Sequence, residues 1–211
     1  MTTGSAGGRT GARFVVQSSR EEYRGRIMAL RVDEVLMPDG AVAVREVIEH
    51  LGAVAVVALD DDGRVTLIRQ YRHAVGEYLR ELPAGLLDVP GEPAPATAAR
   101  ELYEEASLRA GRWHTLLDLR PTPGLSDEAV RVFLARDLRE VPERERYVAT
   151  HEEVDLSVQR VPLDEAVAAA LAGEIENAVA VAGVLAAARA RDAGWAPLRP
   201  ADTPWPARPA H

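Results

Sequence analysis

The chain has 211 residues, of which 47% are hydrophobic and 27% charged, with a formal net charge of −8 and no cysteine. This composition predicts a folded domain with a sizeable core, and the acidic balance argues against nucleic acid as a partner, because phosphate-backbone binding needs clustered Lys and Arg. The absence of cysteine excludes disulfides and thiolate ligands, and no apolar run approaches the roughly 20 residues of a membrane span. Because residues 1–13 also lack the apolar segment of a signal peptide, we expect a cytoplasmic protein without a membrane partner.

The N-terminal part of the chain is strand-like. We predict a disordered tail over residues 1–13, which are rich in Gly, Thr and Ala, and then an antiparallel β-region over residues 14–50. Ala53–Leu59 is nearly all apolar, which indicates a strand covered on both faces. The turn signal Asp61-Asp62-Gly63 leads into Val65–Gln70, so we predict that these two strands form a central hairpin.

The second part alternates helices and strands. Strong helix formers predict a helix over Pro93–Ala106, with both of its prolines confined to the first turn. The further predicted elements are strands near 113–119 and 129–135, a charged irregular segment over 138–150, helices near 163–172 and 177–192, and a frayed Pro-rich tail over 195–211. The irregular segment is longer than a usual connection, so it is either an active-site loop or a functionless one.

Three carboxylates share one side of the predicted helix. Glu104 and Glu105 lie three and four residues after Glu101, which places the Cβ atom of each about 5–6 Å from that of Glu101. Arg100 can pair with Glu104, four residues later. A solvated acidic face is the alternative to a metal site. However, the pattern Gly85, Glu92, Arg100, Glu101, Glu104, Glu105 has a chance probability on the order of 10⁻⁷ per window at average residue usage.

At this point the sequence resembles the Nudix hydrolase family, whose motif runs from a glycine through a glutamate to Arg-Glu-aliphatic-x-Glu-Glu-x-Gly-aliphatic. The matching segment, residues 85–108, is called the Nudix box below. It has six residues rather than five between Gly85 and Glu92, and Ser107 stands where the family has glycine. The first departure lengthens a loop, and the second lies where glycine favours a left-handed helix end.

The resemblance is greatest to bacterial ADP-ribose pyrophosphatases, through Glu81–Leu87, Pro123 and Thr150-His151-Glu152-Glu153. It implies an α/β/α sandwich around a mixed β-sheet, with a Nudix domain over residues 51–194. It also implies that the N-terminal β-region builds a homodimer. The implied reaction is hydrolysis of ADP-ribose to AMP and ribose 5-phosphate.

The resemblance also implies the metal ligands. They are the carbonyl of Ala84 and the carboxylates of Glu101, Glu104, Glu105 and Glu153, all hard oxygens that suit Mg²⁺, with Mn²⁺ as the alternative. Glu105 and Glu153 are the implied catalytic residues, and Glu153 is the general base. Its neighbour Glu152 is the rival, because adjacent residues of an extended segment point in opposite directions; His151 is left without a role.

For the substrate, the resemblance implies phosphate binding by Arg72, since an arginine fork suits phosphate oxygens. Leu86, Gly124 and Glu128 correspond to contacts with the terminal ribose or phosphates, and Arg45 to a contact with the adenosine part. Phe14, Tyr23 and Tyr71 are alternatives for stacking the base. Two other functions stay open: hydrolysis of a different nucleotide, such as a nucleotide sugar or diadenosine polyphosphate, and sensing of an ADP-ribose-like ligand without turnover.

Overall fold

The computed structural model describes residues 14–148, 155–196 and 198–206. The chain divides into two units, of which the first comprises the described residues up to His50 together with Gly124–Asp127. The second comprises Leu51–Pro123 and the described residues from Glu128 onward. No helix in the described ranges is long and apolar enough to cross a membrane.

The first unit is an antiparallel meander of β1 (Val15–Arg24), β2 (Met28–Leu36) and β3 (Val42–His50), in that order. The middle strand carries its buried residues, Ala29, Asp33 and Val35. The segment Gly124–Asp127 joins the unit because Ile48 N–H donates to the Leu125 carbonyl at 2.9 Å. This is the antiparallel β-region that the sequence predicts for residues 14–50.

The second unit contains two sheets and three helices. Its elements are β4 (Ala53–Ala58), β5 (Arg64–Arg72), β6 (Glu77–Glu81), β7 (Ala84–Leu86), α1 (Ala94–Ala106), β8 (Leu108–Leu119), β9 (Val130–Glu140), the 3-10 turn η1 (Glu143–Glu145), β10 (Ser157–Pro162), α2 (Leu163–Leu171), α3 (Ala178–Asp192) and β11 (Arg199–Pro200). One sheet has the order β11-β8-β9-β4-β7 and the other the order β10-β5-β6.

The five-stranded sheet is covered on both faces. Val54 and Val56 of β4 pack with residues of α1, whereas the alternate residues Ala55 and Val57 pack with residues of α2 and α3. The sheet is mixed because β4 runs parallel to β9 and antiparallel to β7. This is the predicted α/β/α sandwich, and the apolar run of β4 is explained by its burial on both sides.

The predicted central hairpin is wrong. The turn after β4 forms, with the Asp60 carboxylate accepting from the N–H of Arg64 at 2.8 Å, but only the bridge between Leu59 and Val65 joins the two arms. Beyond it, β4 pairs with β7 and β9, while β5 pairs with β6 and β10. The strand β4 is buried on both faces, and the local turn signal does not specify which strands lie beside it.

Two further boundaries differ from the prediction. The strand β9 continues to Glu140, so residues 138–140 belong to the sheet rather than to the irregular segment. The C-terminal segment is not a frayed tail over residues 198–206, because β11 pairs with β8 and Arg131 donates to the carbonyl of Thr203 at 2.5 Å. Trp205 lies over the Arg131 guanidinium at 4.8 Å. Pairing with a distant strand orders this Pro-rich segment.

Candidate active site

Helix α1 carries the predicted carboxylates and begins after Pro93. Its buried stripe is Ala94, Thr97, Ala98, Glu101 and Leu102, so a glutamate occupies a position at which a helix of this kind normally has an apolar residue. The helix ends at Ser107, whose backbone is left-handed at φ 51° and whose N–H donates to the carbonyls of Leu102 and Tyr103. The serine thus adopts the conformation for which the family motif uses glycine.

Glu101 is buried directly against strand β7, whose residue Gly85 opens the Nudix box. A Cβ atom added to Gly85 would lie 2.1 Å from Cδ of Glu101, so only glycine leaves room for this carboxylate. Burial raises the pKa of Glu101 to about 7; the Arg100 charge opposes this rise and the Glu104 charge adds to it. A buried carboxylate of this kind favours a nearby cation.

Arg100 connects four acidic groups of the site. Its Nη1 lies 2.6 Å from Oε1 of Glu101 and 3.3 Å from Oε2 of Glu104. Its Nη2 lies 3.1 Å from Oε2 of Glu92 and 3.7 Å from Oδ1 of Asp88. Hydrogen bonds from Arg100 are the largest cause that holds the pKa of Glu92 below its usual range. The predicted Arg100–Glu104 pair is present, but Arg100 also holds Glu101, which the sequence did not predict.

Glu105 contacts Ala84, the first residue of strand β7, which leads into the box. The N–H of Ala84 donates to Oε2 of Glu105 at 2.8 Å, and Ala84 is fixed in β7 by its pairing with Ala55 of β4. The fold therefore brings Ala84, Glu101, Glu104 and Glu105 to the same side of α1.

The donor chemistry of this side fits a divalent cation. Its candidate donor atoms are all hard oxygens, and burial, the main cause of the raised pKa of Glu101, makes the charged carboxylate costly unless a cation lies near it. Within the described residues, no three His, Asp or Glu side chains are grouped as a metal site. The remaining predicted ligand, Glu153, lies outside the described residues together with Glu152 and His151.

Arg72 is held by Glu81, a residue for which the sequence predicts no role in the site. Its Nε and Nη2 donate to the two carboxylate oxygens of Glu81 at 2.9 and 2.5 Å, and the Glu81 side chain is only 3% exposed. The sequence feature that could have indicated this pair is Glu81 itself. It is a charged residue at the end of a strand, directly before the buried Leu82 and Pro83.

The other predicted substrate residues fall in both units. Leu86 ends β7 and is half-buried, and the Glu128 carbonyl accepts from Arg120 at 3.4 Å in the same unit. Gly124 and Arg45 belong to the first unit, where the Arg45 guanidinium donates to the Val44 carbonyl at 2.8 Å.

Comparison with known families connects this geometry to one of them. A family model described as NUDIX domain matches residues 43–182, which include α1 and all the acidic residues around Arg100. The chain belongs to the Nudix family. A second model, described as nucleoside diphosphate sugar hydrolase N-terminal domain, matches residues 14–48, the meander of the first unit.

Individual proteins agree with this assignment. The Nudix chain is 53% identical over 196 residues to an ADP-ribose pyrophosphatase of Mycobacterium tuberculosis, covering 93% of each chain. It is 33% identical over 156 residues to an ADP-ribose pyrophosphatase of Bacillus subtilis, covering 74% of this chain and 82% of the relative. A crystal structure of an ADP compounds hydrolase superposes with a TM-score of 0.73 at 23% identity, over 86% of this chain and 96% of the other, and supports the fold.

Proposed function

We propose that this Nudix hydrolase cuts the pyrophosphate bond of ADP-ribose to give AMP and ribose 5-phosphate, and that Mg²⁺ is its metal, with Mn²⁺ as the alternative. The observation that carries the substrate is the 53% identity to an ADP-ribose pyrophosphatase over 93% of both chains. The side of α1 that carries Glu101 and Glu105 supports the class of chemistry, because its donors suit a hard divalent cation.

The proposed metal ligands are the Ala84 carbonyl and the carboxylates of Glu101, Glu104, Glu105 and Glu153. The ion would neutralise the diphosphate and lower the pKa of a bound water. Glu101 is fixed by burial and by Arg100, whereas Glu105 is fixed by the Ala84 N–H. Glu153 is proposed as the general base that takes the proton of the attacking water.

The proposed substrate contacts are made by Arg72, Leu86, Glu128, Gly124 and Arg45. Arg72 suits a phosphate because a planar guanidinium can donate to phosphate oxygens in pairs and the side chain is 45% exposed. A homodimer built by the first unit is also proposed. In support, its strand β1 is exposed along its whole length, including Val15 and Tyr23, and Phe14 directly before the strand is exposed as well. The cytoplasmic location stays a prediction.

The test is product analysis of ADP-ribose incubated with the purified protein and MgCl₂, in parallel with Glu105→Gln. We expect AMP and ribose 5-phosphate from the wild type and a loss of at least about 100-fold in rate for the variant, because the substitution removes one charged ligand. Glu174→Gln, which removes a 62%-exposed carboxylate on the same unit, is the matched control and should keep the wild-type rate.

Two outcomes would contradict the proposal. If the wild type leaves ADP-ribose intact but cuts a nucleotide sugar or diadenosine polyphosphate, the substrate is wrong and the enzyme class is kept. If it binds ADP-ribose but releases no product with either metal, the protein is a sensor of this ligand.

A further inference from the structure

A cavity of about 210 Å³ opens beside Glu105, the last carboxylate of the Nudix box. The cavity wall is formed by the end of helix α1, by strands β9 and β10, and by the residue after η1. The lining residues are Glu105, Ala106, Ser107, Glu140, Arg146, Val158 and Arg160. Two arginines and two glutamates therefore face one small space next to a proposed metal ligand.

The two arginines differ in their partners. Arg160 lies 2.9 Å from the Glu140 carboxylate, which balances its charge. Arg146 uses Nε to donate to the Val141 carbonyl at 3.3 Å, and its two Nη groups have neither an ion pair nor a hydrogen bond to any described residue. Arg146 is thus the cation in the cavity wall whose donors are available to a ligand.

The position of Arg146 is fixed relative to the helix that carries the carboxylates. Tyr103 of α1 donates its hydroxyl to the carbonyl of Glu145 at 2.8 Å, and the Arg146 N–H donates to the Glu143 carbonyl at 3.2 Å. The first bond holds η1 against α1 and the second closes the η1 turn, so the Arg146 backbone is placed before any ligand arrives. Only the Arg146 side chain then has to be ordered when a ligand binds.

We propose that Arg146 is a substrate-binding residue that takes a phosphate group of the nucleoside diphosphate in this cavity. This inference rests on the proposed function, because it assigns the cavity to the same substrate. An arginine with two open Nη groups matches phosphate oxygens in pairs. If Glu105 holds the metal ion, the Arg146 guanidinium would add a second positive charge for the anion in the same cavity.

The first experiment measures the hydrolysis of ADP-ribose with MgCl₂ by the wild type, Arg146→Gln and Arg144→Gln. Arg144 is the matched control, since it is two residues away, 85% exposed and absent from the cavity wall. We expect KM to rise roughly tenfold or more in Arg146→Gln, with a smaller change in kcat, because a charged hydrogen bond to the substrate is lost. The KM of Arg146→Lys should lie between those of the wild type and Arg146→Gln, because lysine keeps the charge but not the fork. Equal KM values for Arg146→Gln and Arg144→Gln would overturn the proposal.

The second experiment does not need turnover. Calorimetric titration with inorganic pyrophosphate in MgCl₂ should give a Kd at least about tenfold weaker for Arg146→Gln than for Arg144→Gln. An equal Kd overturns the role of Arg146 even if ADP-ribose is hydrolysed. If the wild type does not cut ADP-ribose but Arg146→Gln binds pyrophosphate more weakly than Arg144→Gln does, the role of Arg146 is supported and only the proposed function is contradicted.

Discussion

Both carboxylate oxygens of Glu81 accept hydrogen bonds from Arg72, at 2.9 and 2.5 Å. The Glu81 side chain is 3% exposed and that of Arg72 is 45% exposed, so the pair reaches from the core to the surface. Truncating Arg72 would remove the ion pair of the buried Glu81 carboxylate, which is costly for a buried charge. Glu81 therefore fixes the direction in which Arg72 points.

Replacing Glu81 by Gln should lower kcat/KM for ADP-ribose by about 10- to 100-fold, because an amide cannot hold both nitrogens of the Arg72 fork. Steady-state kinetics would measure this, with Glu176→Gln, an exposed carboxylate on the same unit, as the control. Equal kcat/KM values in the two variants would show that Arg72 does not need Glu81.

Gly85→Ala should destabilise the fold by about 1–3 kcal/mol, because the new methyl group would overlap Glu101 and force either that side chain or strand β7 to move. The free energy of unfolding in urea would measure the loss. Gly124→Ala is the control, since its Cβ would meet nothing within 4 Å, and it should stay within about 0.5 kcal/mol of the wild type. A Gly85→Ala protein as stable as this control would contradict the expectation.

Trp205→Ala should cost about 1–3 kcal/mol of folding stability, because Trp205 is half-buried, stacks on Arg131 and packs beside the core residues under α1. Thermal and urea unfolding would measure it. Asp202→Ala, in the same segment but exposed, should have little effect. If both variants unfold like the wild type, the segment contributes no stability.

The ion pairs of Asp118 predict a dependence of stability on pH. Burial alone would raise the pKa of Asp118, but hydrogen bonds from Arg131 and Arg199 outweigh it and lower that pKa below 3.8. Because the folded-state pKa is lowered, this stabilisation is present above about pH 4 and is lost as the pH falls through the folded-state pKa.

Unfolding free energies measured from pH 6 to pH 2.5 should therefore fall more steeply for the wild type than for Asp118→Asn. The difference between the two proteins should be largest above pH 4 and should shrink toward the acid end. Parallel curves for the two proteins would contradict the ionic contribution of Asp118.

The sequence predicted the helix of the site closely. Helix formers and two prolines gave 93–106 against the observed Ala94–Ala106, and the spacing of Glu101 and Glu105 predicted that they share a side. These features depend on local propensity and on the period of the helix, which a sequence carries directly.

Other features depend on residues distant in the chain, which local patterns do not specify. The predicted hairpin of β4 and β5 failed because β4 is paired by β9, more than 70 residues later. The burial of Glu101 and the ion pair of Arg72 with Glu81 were also not predicted. Both follow from how strands β5, β6 and β7 are placed rather than from the motif.

The ordered C-terminal segment, residues 198–206, determines where a truncated form of this protein should end. Sequence inspection alone would remove the Pro-rich residues from 195 onward as dispensable, yet Arg131, which is 2% exposed, donates to the carbonyls of both Thr203 and Pro204. Trimming there would leave a buried positive charge short of two acceptors. Any shortened form of this hydrolase that is made for crystallisation, fusion or mutagenesis should therefore end after Trp205.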